Sequence, residues 1–258
     1  MTKQILVKDV MAKPVTISKS AKITEALYKM LDGGSDPLIA LNNSTVVGTV
    51  SRQAIAKKLG SRQNSDIAPS AIHVASVVEE EFTSVYPDES LNVLIPLLQR
   101  YKLVVVYDQD HKLLGQVTAG DLLKKMKPDG AIDGVVEKAL MIDGDERVVH
   151  LRRRMIDDAV TRFVVAEGDK LTGIVTETDV AIALRKFRQQ VDDNHQDHRI
   201  RNLLVKDIMS VPLISVDCST PLTKIADLML EKNISAVPLL DKGKLTGFVS
   251  RRSLINAL

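Results

Sequence analysis

A single cysteine, Cys218, stands in the 258 residues of the chain. One thiol excludes an intrachain disulfide and any metal cage built from several cysteines, and it fits a reducing interior. Tryptophan is absent and aromatic residues make up 3%. Single-strand nucleic-acid binding leans on aromatic stacking platforms, so this scarcity argues against it as the main role. A net charge of +2 is too small for bulk electrostatics to drive nucleic-acid binding. No apolar run is long enough to span a membrane, and the opening Met1-Thr2-Lys3-Gln4 lacks a signal-peptide core. The expectation is a cytoplasmic protein with no membrane partner. No phosphate-binding Gly-x-x-x-x-Gly-Lys-Ser/Thr loop, metal-ligand cluster or pair of catalytic acids stands out, and His73, His111 and His150 are isolated. The chain is therefore expected not to be an enzyme.

What the chain has is repetition. Hydrophobic residues at 45% and charged residues at 26% are ordinary for a globular chain of about two domains. Within it, Val7-Lys8-Asp9-Val10-Met11 returns as Val205-Lys206-Asp207-Ile208-Met209. A glycine, two further residues and a hydroxyl recur four times: Gly48-Thr49-Val50-Ser51, Gly115-Gln116-Val117-Thr118, Gly173-Ile174-Val175-Thr176 and Gly247-Phe248-Val249-Ser250. Repetition of this kind sets the architecture.

Each unit follows one plan. Short strands are expected at 15–18, 83–86, 139–142 and 213–216, and amphipathic helices at 23–31, 91–98, 148–156 and 222–230. Hairpins follow, clearest at 104–118 and 236–250, and closing helices at 52–59, 120–126, 178–189 and 251–258. The fold class is α+β, with four β-α-β-β-α units over 1–62, 70–128, 131–189 and 202–258. A unit of roughly 55 residues is small to stand alone, so the units are expected to pack in pairs. Stretches 60–70 and 127–130 are expected as loops. The charged stretch 184–202 is expected as a solvated helix extension or linker, with partner docking as the alternative. His195 and His198, three apart within it, are expected to be surface residues rather than metal ligands.

The end of the third strand carries the candidate chemistry. Units two and three place an acid three residues after the hydroxyl: Thr118-Ala119-Gly120-Asp121 and Thr176-Glu177-Thr178-Asp179. One reading is a capping box, in which hydroxyl and acid serve the helix start. The other is a ligand corner. An ionised aspartate is acceptor-only and suits two neighbouring ribose hydroxyls, while N–H groups at a helix start suit phosphate. Units one and four lose the acid, at Ala54 and Ser253, and gain Arg52 and the pair Arg251-Arg252. A cation at a helix start is disfavoured by the macrodipole, so another contact is expected to explain these arginines.

The β-α-β-β-α unit, the Val-Lys-Asp-Val/Ile-Met phrase and the Gly-x-Val-Thr-x-x-Asp ending resemble cystathionine-β-synthase (CBS) domains, four of them across essentially the whole chain. The resemblance implies two paired Bateman modules closing into a flat disc, similar to the γ subunit of AMP-activated protein kinase. It implies adenine ligands in clefts between paired units: AMP, ADP or ATP, or S-adenosylmethionine or methylthioadenosine, bound as regulators without a catalytic cofactor. By the family pattern Asp121 and Asp179 match the ribose-binding acid. Thr118 and Thr176 match its hydroxyl partner, and Thr178 falls where a serine often assists. Arg162, in Thr161-Arg162-Phe163-Val164-Val165, matches a phosphate-contacting basic residue. Lys102 and Arg252 are the further cationic candidates. The loss of the acid at Ala54 and Ser253 implies one competent site per module. The output is expected in trans, through a regulated partner protein or a homodimer. The rival reading is a nucleic-acid- or protein-binding regulatory subunit that uses Arg185–Arg188 or Arg251-Arg252, with the nucleotide as effector.

Overall fold

The computed structural model describes residues 5–60, 69–190 and 202–258. His195 and His198, and most of the loop expected at 60–70, lie outside the described residues. Repeat 1 runs β1 (Thr16–Ser18), α1 (Ile23–Gly33), β2 (Leu38–Asn42), β3 (Thr45–Val50) and α2 (Arg52–Gly60). Repeat 2 runs β4 (Ser84–Val85), α3 (Leu94–Arg100), β5 (Leu103–Tyr107), β6 (Leu113–Thr118) and α4 (Ala119–Leu123). Repeat 3 runs β7 (Met141–Asp143), α5 (Val148–Asp157), β8 (Arg162–Glu167), β9 (Lys170–Thr176) and α6 (Glu177–Gln190). Repeat 4 runs β10 (Val216–Asp217), α7 (Leu222–Glu231), β11 (Ala236–Asp241) and β12 (Lys244–Ser250).

Each repeat forms a three-stranded sheet in chain order, its first pair parallel and its second antiparallel. The parallel pair needs a crossover, which the first helix supplies. In α1 the buried residues Ile23, Ala26 and Met30 lie on one face, and Gly34 ends the helix in the left-handed region at φ 60°. Three helices depart from expectation, one of them α4, which stops at Leu123 rather than at 126. The helix of repeat 2 begins late: Leu91–Val93 is a 3-10 turn, and Pro96 then sits in the first turn of α3, where its missing N–H costs nothing. The closing helix expected at 251–258 is a 3-10 turn, Ser253–Ala257. There Ser250 N donates to Ser253 Oγ at 3.0 Å and Ser253 N to Ser250 Oγ at 3.0 Å. Such local side-chain bonds compete with the longer-range helical pattern.

The recurring glycines mark where repeats exchange backbone. The segment leading into each repeat crosses to the third strand of its partner. Ala12 and Gln116 trade N–H···O bonds of 2.8 and 3.0 Å, and Glu79 and Thr49 return the exchange at 2.8 and 2.9 Å. Repeats 3 and 4 do the same through Glu137 with Phe248, at 2.7 and 2.9 Å, and Ser210 with Ile174, at 2.8 and 3.1 Å. Each contact lands one residue after the repeated glycine. A Cβ on Gly115 would sit 2.9 Å from Ala12 O, on Gly173 2.8 Å from Ser210 O, and on Gly247 2.9 Å from Glu137 O. On Gly48 it would collide with Glu79 O. Glycine is there because two backbones meet.

The Val-Lys-Asp phrase belongs to the same docking. Val7 and Val205 are fully buried. Lys8 Nζ reaches Asp88 at 2.6 Å and Lys206 Nζ reaches Asp145 at 2.5 Å, each on the partner repeat. Asp9 and Asp207 accept from the N–H of Leu6 and Leu204 at 2.9 and 3.0 Å, which tightens the turn. Ile39 and Val46 of repeat 1 then pack on Leu103 and Val105 of repeat 2, sheet to sheet. Across the pairs, helices meet. Repeats 2 and 4 share one core, with Leu98, Leu122 and Leu123 against Ile225, Leu254 and Ile255. Helices α1 and α2 of repeat 1 pack on α6 and α5 of repeat 3.

Candidate functional site

The corners of repeats 2 and 3 are built alike. Thr118 N and Oγ1 both donate to Asp121 Oδ2, at 3.0 and 2.7 Å. Thr176 N and Oγ1 donate to Asp179 Oδ2, at 2.8 and 2.6 Å. The capping geometry is therefore real. One oxygen of each acid is fully committed to it, and the other has a single side-chain partner. Lys124 Nζ donates to Asp121 Oδ1 at 2.9 Å, and Ser210 Oγ, from the lead segment of repeat 4, donates to Asp179 Oδ1 at 2.9 Å. Thr178, half-buried, lies beside Asp179 on the first turn of α6.

Repeats 1 and 4 keep a carboxylate, but from their partners. Ser51 Oγ donates to Glu79 Oε2 at 2.9 Å, and Ser250 Oγ donates to Glu137 Oε1 at 2.6 Å. Glu79 and Glu137 are the bridging residues of the lead segments of repeats 2 and 3. The same places hold Ala12 and Ser210 where the facing repeat has its own aspartate. Comparison of the Thr-x-x-Asp endings alone misses these glutamates. Comparison of the lead segments exposes them.

The cationic candidates lie apart from the two aspartates' own partners. Lys102 Nζ donates to Gln53 Oε1 of repeat 1 at 3.4 Å. Arg252 Nη2 reaches from repeat 4 to the carbonyls of Gln99 and Arg100, at 2.9 and 3.0 Å. It thereby caps the C-terminus of α3, where a cation is favoured. Lys102 and Arg252 meet in one cavity of about 500 Å³, with Thr49, Gln53, Glu79 and Phe82 among its walls. Arg162 has its Cα opposite Thr176, but its guanidinium turns onto Thr161 Oγ1 at 3.2 Å and over the Phe248 ring at 5.9 Å. Burial pushes its pKa below the usual range, opposed by Glu137 and Glu177.

The arginines that the helix dipole disfavours have other partners. Arg52 pairs with Asp36 at 3.2 Å, both well covered. Arg251 Nη2 donates to Met229 O at the end of α7 at 2.8 Å, and its Nη1 lies 3.1 Å from where a Gly120 Cβ would stand, beside Asp121. The Arg251-Arg252 pair thus faces backbone carbonyls.

Glu177, at the start of α6, sits where three repeats meet. Burial raises its pKa from the ordinary 4.5, with Asp36 adding to the rise and Lys102, Arg52 and Arg162 opposing it. A raised value means that the folded chain holds this proton more tightly than the unfolded one. Its contribution to stability is present below the ordinary value and is lost as pH rises through the raised one. Glu177→Gln is therefore expected to melt higher than the parent at pH 7 and to show a smaller loss between pH 4.5 and 7. A variant no more stable at pH 7 would mean that the three cations already compensate the charge.

Among the described residues no helix is long and apolar enough to cross a membrane, and no group of three or more His, Cys, Asp or Glu is placed to hold a metal ion. The family model for the CBS domain matches four times, at 7–61, 74–128, 133–186 and 205–258. Protein MJ1225 of Methanocaldococcus jannaschii is 22% identical over 266 residues, covering 94% of each chain. Its crystal structure, that of a proposed archaeal homologue of γ-AMPK, superposes with a TM-score of 0.82 over 97% of this chain and 99% of that one. An uncharacterised conserved protein from Pyrococcus horikoshii superposes with a TM-score of 0.64 at 20% identity, over 97% and 98% of the two chains. Protein MJ1404 of the same Methanocaldococcus is 24% identical over 272 residues, and the chain spans 60% of its length. Four matched units, folded alike and exchanging their lead segments in pairs, establish that the chain belongs to the CBS domain family.

Proposed function

We propose that the chain is a non-catalytic regulatory protein that binds adenine nucleotides or related adenosyl ligands in the clefts between paired repeats and reports an energy or metabolite level to a partner protein or a second copy. One observation carries the reading. In both Thr-Asp corners Oδ2 of the acid is locked by its own threonine, while Oδ1 has one exchangeable partner, Lys124 or Ser210. Such a carboxylate is held in place and still able to accept a ribose hydroxyl. A second observation agrees with it. Among the described residues the buried side-chain nitrogens and oxygens with no hydrogen-bond partner are Arg162 Nη1 and Arg251 Nε. Unmade buried donors are costly, and a bound anion would satisfy them.

Titration calorimetry with AMP, ADP, ATP, S-adenosylmethionine and methylthioadenosine tests the reading. Asp121→Ala and Asp179→Ala are each expected to remove one equivalent of the preferred ligand, at a cost of roughly 1.5–3 kcal/mol of binding per site. Folding should lose less, about 0.3–1 kcal/mol, the worth of an acid at a helix start. Variants that bind normally and only melt earlier would leave the two acids as caps and nothing more.

A further inference from the structure

The crossover from repeat 2 to repeat 3 runs along repeat 4 as a strap. Lys127 Nζ pairs with Asp227 of α7, Pro128 is buried, and Asp129 N donates to Ala257 O at 2.8 Å. The 3-10 turn Ile132–Val135 then packs on the closing turn Ser253–Ala257. Between these two holds lie Asp129 and Gly130, both exposed.

Asp129-Gly130 is one of four Asp-Gly pairs in the chain, with Asp32-Gly33, Asp133-Gly134 and Asp143-Gly144. An aspartyl carboxyl can close a five-membered ring on the next amide nitrogen, and glycine puts no side chain in the way. The fold decides which pair does so. Gly33 is the last residue of α1, where helical geometry aims its amide at a carbonyl one turn back. Gly134 N donates to Ala131 O at 3.3 Å. Asp143 Oδ1 accepts from Asp145 N at 2.8 Å, and a Cβ on Gly144 would already stand 3.4 Å from Lys206 Cβ. Asp129 differs from all three. Gly130 N donates to Asp129 Oδ1 at 2.8 Å, so the nitrogen that must attack rests against an oxygen bonded to the carbon it must reach. Nothing lies within 4 Å of a Cβ placed on Gly130, and its φ of +116° is one that glycine adopts without strain. The backbone therefore has room to turn through the ring.

We propose that Asp129-Gly130 is a modification site, at which the aspartate isomerises through a cyclic imide. Gly130 N bonds to Asp129 Cγ, and one carboxyl oxygen leaves as water, taking the carboxyl proton and the amide proton. Water then adds to one of the two imide carbonyls. Breaking the new Cγ–N bond restores aspartate. Breaking the original C–N bond leaves isoaspartate, with the main chain routed through Cγ and longer by one methylene. The step consumes no oxidant and no second substrate besides water. The added methylene falls inside the strap, between the hold at Ala257 and the turn Ile132–Val135.

The test incubates the full chain in heavy-oxygen water, followed by tryptic digestion in ordinary water and electron-transfer fragmentation, which assigns the altered backbone bond. Each passage through the imide leaves one heavy oxygen in the residue. Label and isoaspartate are expected at Asp129 roughly ten times faster or more than at Asp32, Asp133 or Asp143. The chain unfolded in urea should lose this preference, because all four pairs then have an unrestrained backbone, and its reaction sets the length of the incubation. Asp129→Glu keeps the charge but needs a larger ring, so it should abolish the signal at that position and leave the melting temperature of fresh protein unchanged. Faster labelling at any of the other three pairs, or equal rates at all four in the folded chain, overturns the proposal. So does a folded chain unlabelled at Asp129 once the unfolded chain has reacted. Isoaspartate at Asp129 without heavy oxygen would overturn the imide route.

Discussion

Gly48→Ala is expected to lower the stability of the chain by roughly 2–5 kcal/mol and to pull the Glu79 carboxylate away from Ser51 at the same time. Two penalties act together. The added methyl would collide with Glu79 O and come within 2.7 Å of Val78 Cγ1, and the backbone there has φ +146°, which side-chain-bearing residues rarely adopt. Relief requires the lead segment of repeat 2 to lift away, which breaks the Thr49–Glu79 bond pair and withdraws the Glu79 carboxylate from Ser51. Gly33→Ala is the control. It lies in α1 with nothing within 4 Å of the new methyl, so it should be neutral or stabilising by up to about 1 kcal/mol. Urea denaturation of the two variants beside the parent reads the difference. Equal midpoints for both would show that the backbone exchange yields without cost.

Leu254→Ala tests the seam between the pairs. Leu254 is fully buried in the core that repeats 2 and 4 share. Leucine-to-alanine truncations at such places cost roughly 2–5 kcal/mol, depending on how far the site collapses. The shape of the transition matters as much as its midpoint. A shared core should keep the loss cooperative, so that calorimetric and van't Hoff enthalpies agree in the variant as in the parent. Two separated transitions, one of them unmoved, would mean that repeats 1 and 3 are stable without that core.

Much of this architecture is legible in the residues. The four glycine-to-hydroxyl endings locate the third strands, and hydrophobic spacing places most of the first helices within a residue or two. The Val-Lys-Asp phrase signals a repeat, but its purpose is visible only once Lys8 meets Asp88 and Lys206 meets Asp145. Such ion pairs join residues far apart in sequence, and no local pattern encodes them. The lead segments are the main blind spot, because a short stretch that pairs through a single bridge has neither helical nor strand periodicity. For the same reason Glu79 and Glu137 escape a reading that looks for the acid three residues after the hydroxyl. The closing turn of repeat 4 shows a different limit, since apolar spacing there is compatible with a helix until Ser250 and Ser253 bond each other. At the site the Thr-Asp pairs are readable as chemistry. What the arginines do is not, because Arg251 and Arg252 are occupied by carbonyls that chain order gives no reason to place beside them.

The seams between the repeats close on themselves. Repeat 1 exchanges backbone with 2, repeat 2 shares a core with 4, repeat 4 exchanges backbone with 3, and repeat 3 packs helices on 1. In an open array of repeats the outermost units have one neighbour, so unfolding can begin at an end. A circuit of four has no end. Opening any one seam leaves every unit with at least one neighbour, whereas removing any one unit costs two seams at once. A load placed on any one unit is therefore borne by two seams rather than one.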